Sequence, residues 1–110
     1  MNWIHLTREE QLEEIKNSSD YHIIFKHSTR CSISMMARKG FELDWQILPE
    51  NTPVYFLDLI KYRELSNKIA EIFQVYHESP QVLVIKNGEC VLDQSHGAIS
   101  AAEIAEIMAA

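Results

Sequence analysis

At 110 residues the chain is one domain's worth of sequence, long enough to build an apolar core without disulfide or metal staples. With 46% of its residues apolar and only three glycines and three prolines, it fits neither the disordered nor the fibrous class, and no apolar run approaches membrane-spanning length. A net charge of −6 argues against nucleic acid or an anionic membrane as partner.

The elements follow in chain order. "WIHL", Trp3 to Leu6, has the composition of a short strand. Thr7 and Glu10 are spaced as a capping box that opens a helix carrying Leu12 and Ile15 on one side, and "NSSD" ends it. "YHIIFK", Tyr21 to Lys26, reads as a second strand. After "HSTR", the residues Ile33, Ala37, Gly40 and Phe41 repeat at helical spacing, so a second helix starts close to Cys31.

A loop with Pro49 and Pro53 leads into "VYFLDLI", an apolar run suited to a central strand buried on both faces. Leu65, Ile69, Ile72 and Phe73 mark a third helix that stops before "HESP". "QVLVIK", Asn87-Gly88 and "ECVLDQ" form a hairpin around a two-residue turn. Ser100 and Glu103 are a second capping box, with Ile104, Ile107 and Met108 on one face of a last helix. The order βαβαβαββα, with no linker or repeat, predicts a single α/β domain over 1–110. Its central sheet is expected to be mixed, with parallel strands, an antiparallel hairpin at one side and helices on both faces.

Two cysteines without zinc-type spacing read as free thiols, with no metal site and no bound cofactor expected. The N-terminal "MNWIHLTREEQ" lacks the pattern of a signal or transit peptide, and the expected location is the cytoplasm.

From Tyr21 to Phe41 there are four basic residues, Lys26, Arg30, Arg38 and Lys39, and no acidic one, leaving six basic against sixteen acidic elsewhere. Cys31 therefore sits in the one locally positive segment. A cysteine opening a helix gains from the helix's partial positive charge and unpaired N–H groups, and Arg30, Lys26 and His27 favour the thiolate in the same way. The plainer alternative is a small buried residue at a turn. Cys90, flanked by Val91 and Leu92 in a strand, reads as structural.

Counting outward from the turn, Lys86 faces Glu89, Ile85 faces Cys90 and Pro80 falls opposite Ser95, which brings Ser95 and His96 to the Pro80 end. Cys90 lies roughly 16 Å from that end along a strand, and a disulfide needs Cα atoms within about 7 Å. His27 is either a neighbour that supports Cys31 or a solvated strand-end residue. His5, His22 and His77 join no constellation.

"FKHSTRCSIS", "DLIKYRELSNKIAE" and "SPQVLVIKNGE", together with the glycine of "SHGAIS", resemble the thioredoxin fold and, more narrowly, the bacilliredoxins of the YtxJ type, over almost the whole chain. The resemblance implies a monothiol Cys-x-x-Ser oxidoreductase that removes bacillithiol, a cysteinyl-glucosamine carrying malate, from oxidised protein thiols under oxidative stress. Bacillithiol would be a redox co-substrate, and the partners would be bacillithiolated proteins, the low-molecular-weight thiol and a disulfide reductase. Cys31 would be the attacking thiolate, with Ser34 a hydrogen-bond donor to its sulfur.

In the same resemblance Pro80 would be a cis-proline that sets the Ser79 backbone beside the sulfur, with Ser95, His96 and Gly97 lining the site. Lys26 and Arg30, Arg30 foremost, would attract the malate, with Arg38 and Lys39 further along the helix. Ser32 stands where the family commonly has proline, which restores an N–H donor in the first helical turn. That departure leaves two other readings open, a non-catalytic peptide-binding module and a thiol sensor. The "CGFS" of monothiol glutaredoxins that hold iron–sulfur clusters is absent.

Overall fold

The computed structural model describes residues 2–110. Five strands and four helices run in the expected order: β1 Trp3–His5, α1 Glu9–Asn17, β2 His22–His27, α2 Ser32–Leu43, β3 Val54–Asp58, α3 Arg63–Phe73, β4 Gln81–Lys86, β5 Glu89–Ser95 and α4 Ala101–Ala109. Short 3₁₀ turns at Trp45–Ile47 and His96–Ala98 were not foreseen. The sheet order is β1-β3-β2-β4-β5. β1, β3 and β2 run parallel, and β4 is antiparallel to both β2 and β5.

Strand alternation divides the core in two. Leu12, Ile15, Ile24, Leu57, Ile69 and Phe73 pack α1 and α3 on one face. Ile23, Phe25, Phe41, Val82 and Ile104 pack α2 and α4 on the other. Among the described residues no helix is long and apolar enough to cross a membrane.

Three local expectations are corrected. The first helix opens at Glu9 with Arg8 as its N-cap, and Gln11 Oε1 accepts the N–H groups of Thr7 and Arg8 at 2.8 and 3.0 Å. The longer side chain three residues beyond Arg8 reaches back to the backbone, so Thr7 and Glu10 are not the capping pair. At α4, Ser100 Oγ accepts Glu103 N–H at 3.2 Å as expected. Gln94, however, takes the place of Glu103 in the return bond, accepting Ser100 N–H at 3.0 Å and donating to the Glu103 carboxylate at 2.8 Å.

The hairpin count fails partway along. Asn87 and Gly88 both have positive φ, as a two-residue hairpin turn demands, and Lys86 pairs Glu89 and Ile85 pairs Cys90. Next, Val84 pairs Leu92, which leaves Val91 as an extra residue, a β-bulge. Every later pairing shifts by one, so Ser95 faces Gln81 and not Pro80. His96 takes the predicted place of Ser95, its N–H bonded to Pro80 O at 3.0 Å.

Candidate functional site

Cys31 is the N-cap of α2, in extended backbone, and half-buried. Its carbonyl accepts the first helical bond from Met35 N–H at 3.1 Å, and its own N–H closes the preceding turn on Ser28 O at 3.2 Å. The amides of Ser32, Ile33 and Ser34 consequently have no intrahelical acceptor, and the cap side chain does not engage them. A sulfur at this position faces the positive end of a helix dipole with N–H groups free to meet an anion. The alternative of a fully buried residue does not hold.

Ser34 behaves differently from the expectation. Its hydroxyl, fully buried, accepts Ser28 N–H at 3.0 Å and lies 2.8 Å from His27 Nδ1. No hydrogen bond joins it to the Cys31 sulfur among the described residues; its partners are Ser28 N–H and His27 Nδ1. His27 is itself 2% exposed, so it is not a solvated strand end. Burial first, then the Arg38 guanidinium, keeps its pKa below the ordinary value, and its ring lies 5.3 Å from that of Phe56. The pair braces the Ser28–Cys31 loop from within.

The positive segment is broken up. Arg38 lies over Phe56 at 4.6 Å and pairs with Glu42 at 3.4 Å, and Lys39 is exposed farther along α2. Lys26 is 0% exposed and points to the α3 face, where its Nζ is 3.3 Å from both Ser66 O and His77 Nδ1. A lysine sealed there cannot reach a malate on the surface, and that expectation is corrected. Arg30 remains as the exposed cation next to Cys31.

The Pro80 loop joins this end of the sheet. The β2/β4 register, carried beyond Lys26↔Gln81, sets Pro80 beside His27 and Ser79 beside Ser28. The Ser79–Pro80 peptide is cis, and Ser79 Oγ is buried with no partner among the described residues. A cleft of about 390 Å³ runs between α2 and the His96 turn, lined by Ile33, Met36, Ala37, His96, Gly97 and Ile99. Gly97 supplies open space, since a Cβ there would meet nothing within 4 Å. His96 Nδ1 lies 3.7 Å from the Glu78 carboxylate, a neighbour not anticipated. Ser32 is exposed on the first turn, and Ser95, half-buried, stands back from the cleft's lining.

Cys90 belongs elsewhere. It packs against the α1/α3 core near the hairpin turn, and its thiol donates to Leu92 O at 3.3 Å. Burial, then Asp93, pushes it up to about 11. His77, Ser66 and Gln81 also escaped the sequence reading. Their grouping depends on β2 pairing with β4, a non-local contact that no short-range pattern announces. No group of three or more potential metal ligands occurs among the described residues.

A solved protein described as a candidate oxidoreductase with a thioredoxin fold is similar at 33% identity, covering 94% of this chain and 90% of its own, with a TM-score of 0.79. A thioredoxin of Malassezia sympodialis matches at 13% identity, with 98% and 89% covered and a TM-score of 0.75. A thioredoxin of Halobacterium salinarum matches at 14%, with 96% and 86% covered and a TM-score of 0.68. The last two show the fold alone. The family model described as monothiol bacilliredoxin BrxC matches residues 4–104. Fold and kinship together give the class of chemistry, thiol-based redox exchange, and this chain belongs to the monothiol bacilliredoxin BrxC family.

Proposed function

We propose that the protein removes bacillithiol from protein mixed disulfides through Cys31. The observation that carries this reading is Cys31 at the N-cap of α2, half-buried, with free helix amides ahead of it and a serine in place of a second thiol. The Cys31 thiolate attacks the bacillithiol sulfur of a mixed disulfide. The S–S bond breaks, and the client thiolate leaves with the bonding electron pair and takes a proton from water. Cys31 now holds bacillithiol in disulfide linkage.

Ser34 cannot resolve this intermediate because a hydroxyl forms no disulfide, and Cys90 is remote and held protonated by its surroundings. A second bacillithiol thiolate therefore attacks the bacillithiol sulfur, releasing the Cys31 thiolate and oxidised bacillithiol, which a disulfide reductase returns to the reduced pool. Arg30, exposed beside Cys31, attracts the malate carboxylates. Bacillithiol is a co-substrate here, and the setting is the cytoplasm.

Incubation with oxidised bacillithiol followed by intact-mass analysis tests the reading. One adduct on Cys31, removed by excess bacillithiol and absent from Cys31→Ser, is expected; no adduct, or one mainly on Cys90, overturns it. The exposed apolar residues Ile33, Met35 and Met36 beside the site favour a second reading, a peptide-binding module without turnover. That module would hold its partner after Cys31→Ala.

A further inference from the structure

Lys26 is a cation with no exposed surface and no carboxylate partner among the described residues. It shares its face of β2 with Ile24, in a setting where methionine would pack without a desolvation penalty. Burial draws its ammonium down to about 8. Its partners explain the position, and they lie against one loop.

Lys26 directly opposes Gln81 in the β2/β4 ladder, so the two side chains leave the sheet on the same face. Gln81, 1% exposed, donates from Nε2 to Tyr76 O at 2.9 Å and accepts Glu78 N–H at 3.4 Å. Lys26 reaches His77 between them, and Ser66 Oγ, on α3, lies 3.2 Å from the same His77 nitrogen. Residues 76–79 make no backbone–backbone hydrogen bond among the described residues. Side chains hold this segment in place, Lys26 and Gln81 from beneath and His96, 3.7 Å from the Glu78 carboxylate, from the cleft side.

We infer that Lys26 and Gln81 form a buried polar pedestal that positions the 76–79 segment, and with it Ser79, against the Cys31 loop. Lys26 acts through His77 as a positioning residue, and the pedestal governs recognition of the protein half of a mixed disulfide. Its functional consequence rests on the exchange proposed above; the pedestal itself does not.

The test compares Lys26→Met, Gln81→Met and the double variant with the wild-type chain. Amide hydrogen exchange of Glu78, the loop N–H that Gln81 accepts, is expected to speed up about tenfold or more in each single variant. KM for a bacillithiolated protein rises about fivefold with kcat nearly unchanged, and the double variant is little worse than the stronger single one because both act on one loop. The rate of adduct formation on Cys31 with oxidised bacillithiol, which needs no protein contact, changes by less than about twofold.

Unchanged loop exchange in Lys26→Met, or an equal loss toward protein and small disulfides, overturns the inference. Gln81→Met decides the matter should Lys26→Met fail to fold. A wild-type chain active on neither substrate overturns the proposed function instead, and loop-amide exchange alone then decides on the pedestal.

Discussion

Lys26 and His27 are consecutive on β2, both closed to solvent, and their side chains leave the sheet on opposite faces. His27 meets Ser34 on the α2 side, and Lys26 meets Ser66 and His77 on the α3 side. One step of a central strand thus braces both loops of the candidate site, the one that carries Cys31 and the one that carries Pro80.

The two thiols should separate cleanly. Iodoacetamide at neutral pH is expected to label Cys31 and leave Cys90 unmodified in the native protein, because burial pushes Cys90 up to about 11. Peptide mass mapping after a timed quench reads this directly. Cys90→Ser should retain full exchange activity and Cys31→Ser none.

Removing the Ser34 hydroxyl leaves Ser28 N–H without its acceptor and His27 Nδ1 without its partner. Ser34→Ala should destabilise the fold by about 1–3 kcal/mol, the usual range for a buried group left unsatisfied. Urea unfolding measures it, and a loss below about 0.5 kcal/mol would mean that the loop is held by other contacts.

Lys26 sets an alkaline limb of stability. Its folded-state pKa of about 8 lies below the ordinary 10.5, so between those values the unfolded chain binds more protons. Stability should therefore rise, relative to Lys26→Met, as pH climbs through that window, by at most about 3 kcal/mol. Below pH 8 both states are charged and the burial penalty is present in full. Melting temperatures of the two chains across the window check the sign.

His27 sets an acid limb. Its pKa is lowered by burial and Arg38, against the smaller opposing pull of Asp58, Ser34 and Glu42. As pH falls below 6.5 toward the lower folded value, the unfolded state takes up the proton first and stability drops. His77, lowered by burial, Lys26 and Arg63, adds to the same limb. His27→Phe should flatten the acid melting profile, and an unchanged slope would point to other groups.

Gly88 has a double reason to be glycine. Its φ is +73°, and a Cβ would strike the carbonyl of Lys16, whose ammonium in turn donates to Gly88 O at 3.0 Å. Gly88→Ala is expected to cost about 2 kcal/mol or more, whereas Gly97→Ala, with open space around it, should be near neutral in stability. Thermal unfolding of the pair provides the contrast.

Much of this was legible in the residues. Periodicity located every helix and strand within a few positions, and the position of Cys31 at a strand-to-helix junction gave its N-cap role. Lys26 was misread because a lysine in a short basic run looks like surface until the strand that covers it is known. Ser34 was assigned to the sulfur by family resemblance, while its actual partners, Ser28 and His27, lie before α2. The Val91 bulge left no trace in composition, since "ECVLDQ" reads as regular strand either way.

That single surplus residue acts as a ratchet tooth. On the turn side of it Cys90 joins the α1/α3 core, and two positions later Leu92 joins the opposite one. Had Val91 paired regularly with Val84, the rest of the strand would sit one notch back, with Ser95, a short hydroxyl, opposite Pro80 in place of an imidazole. The identity of the residue opposite Pro80 is thus decided at the far end of the hairpin.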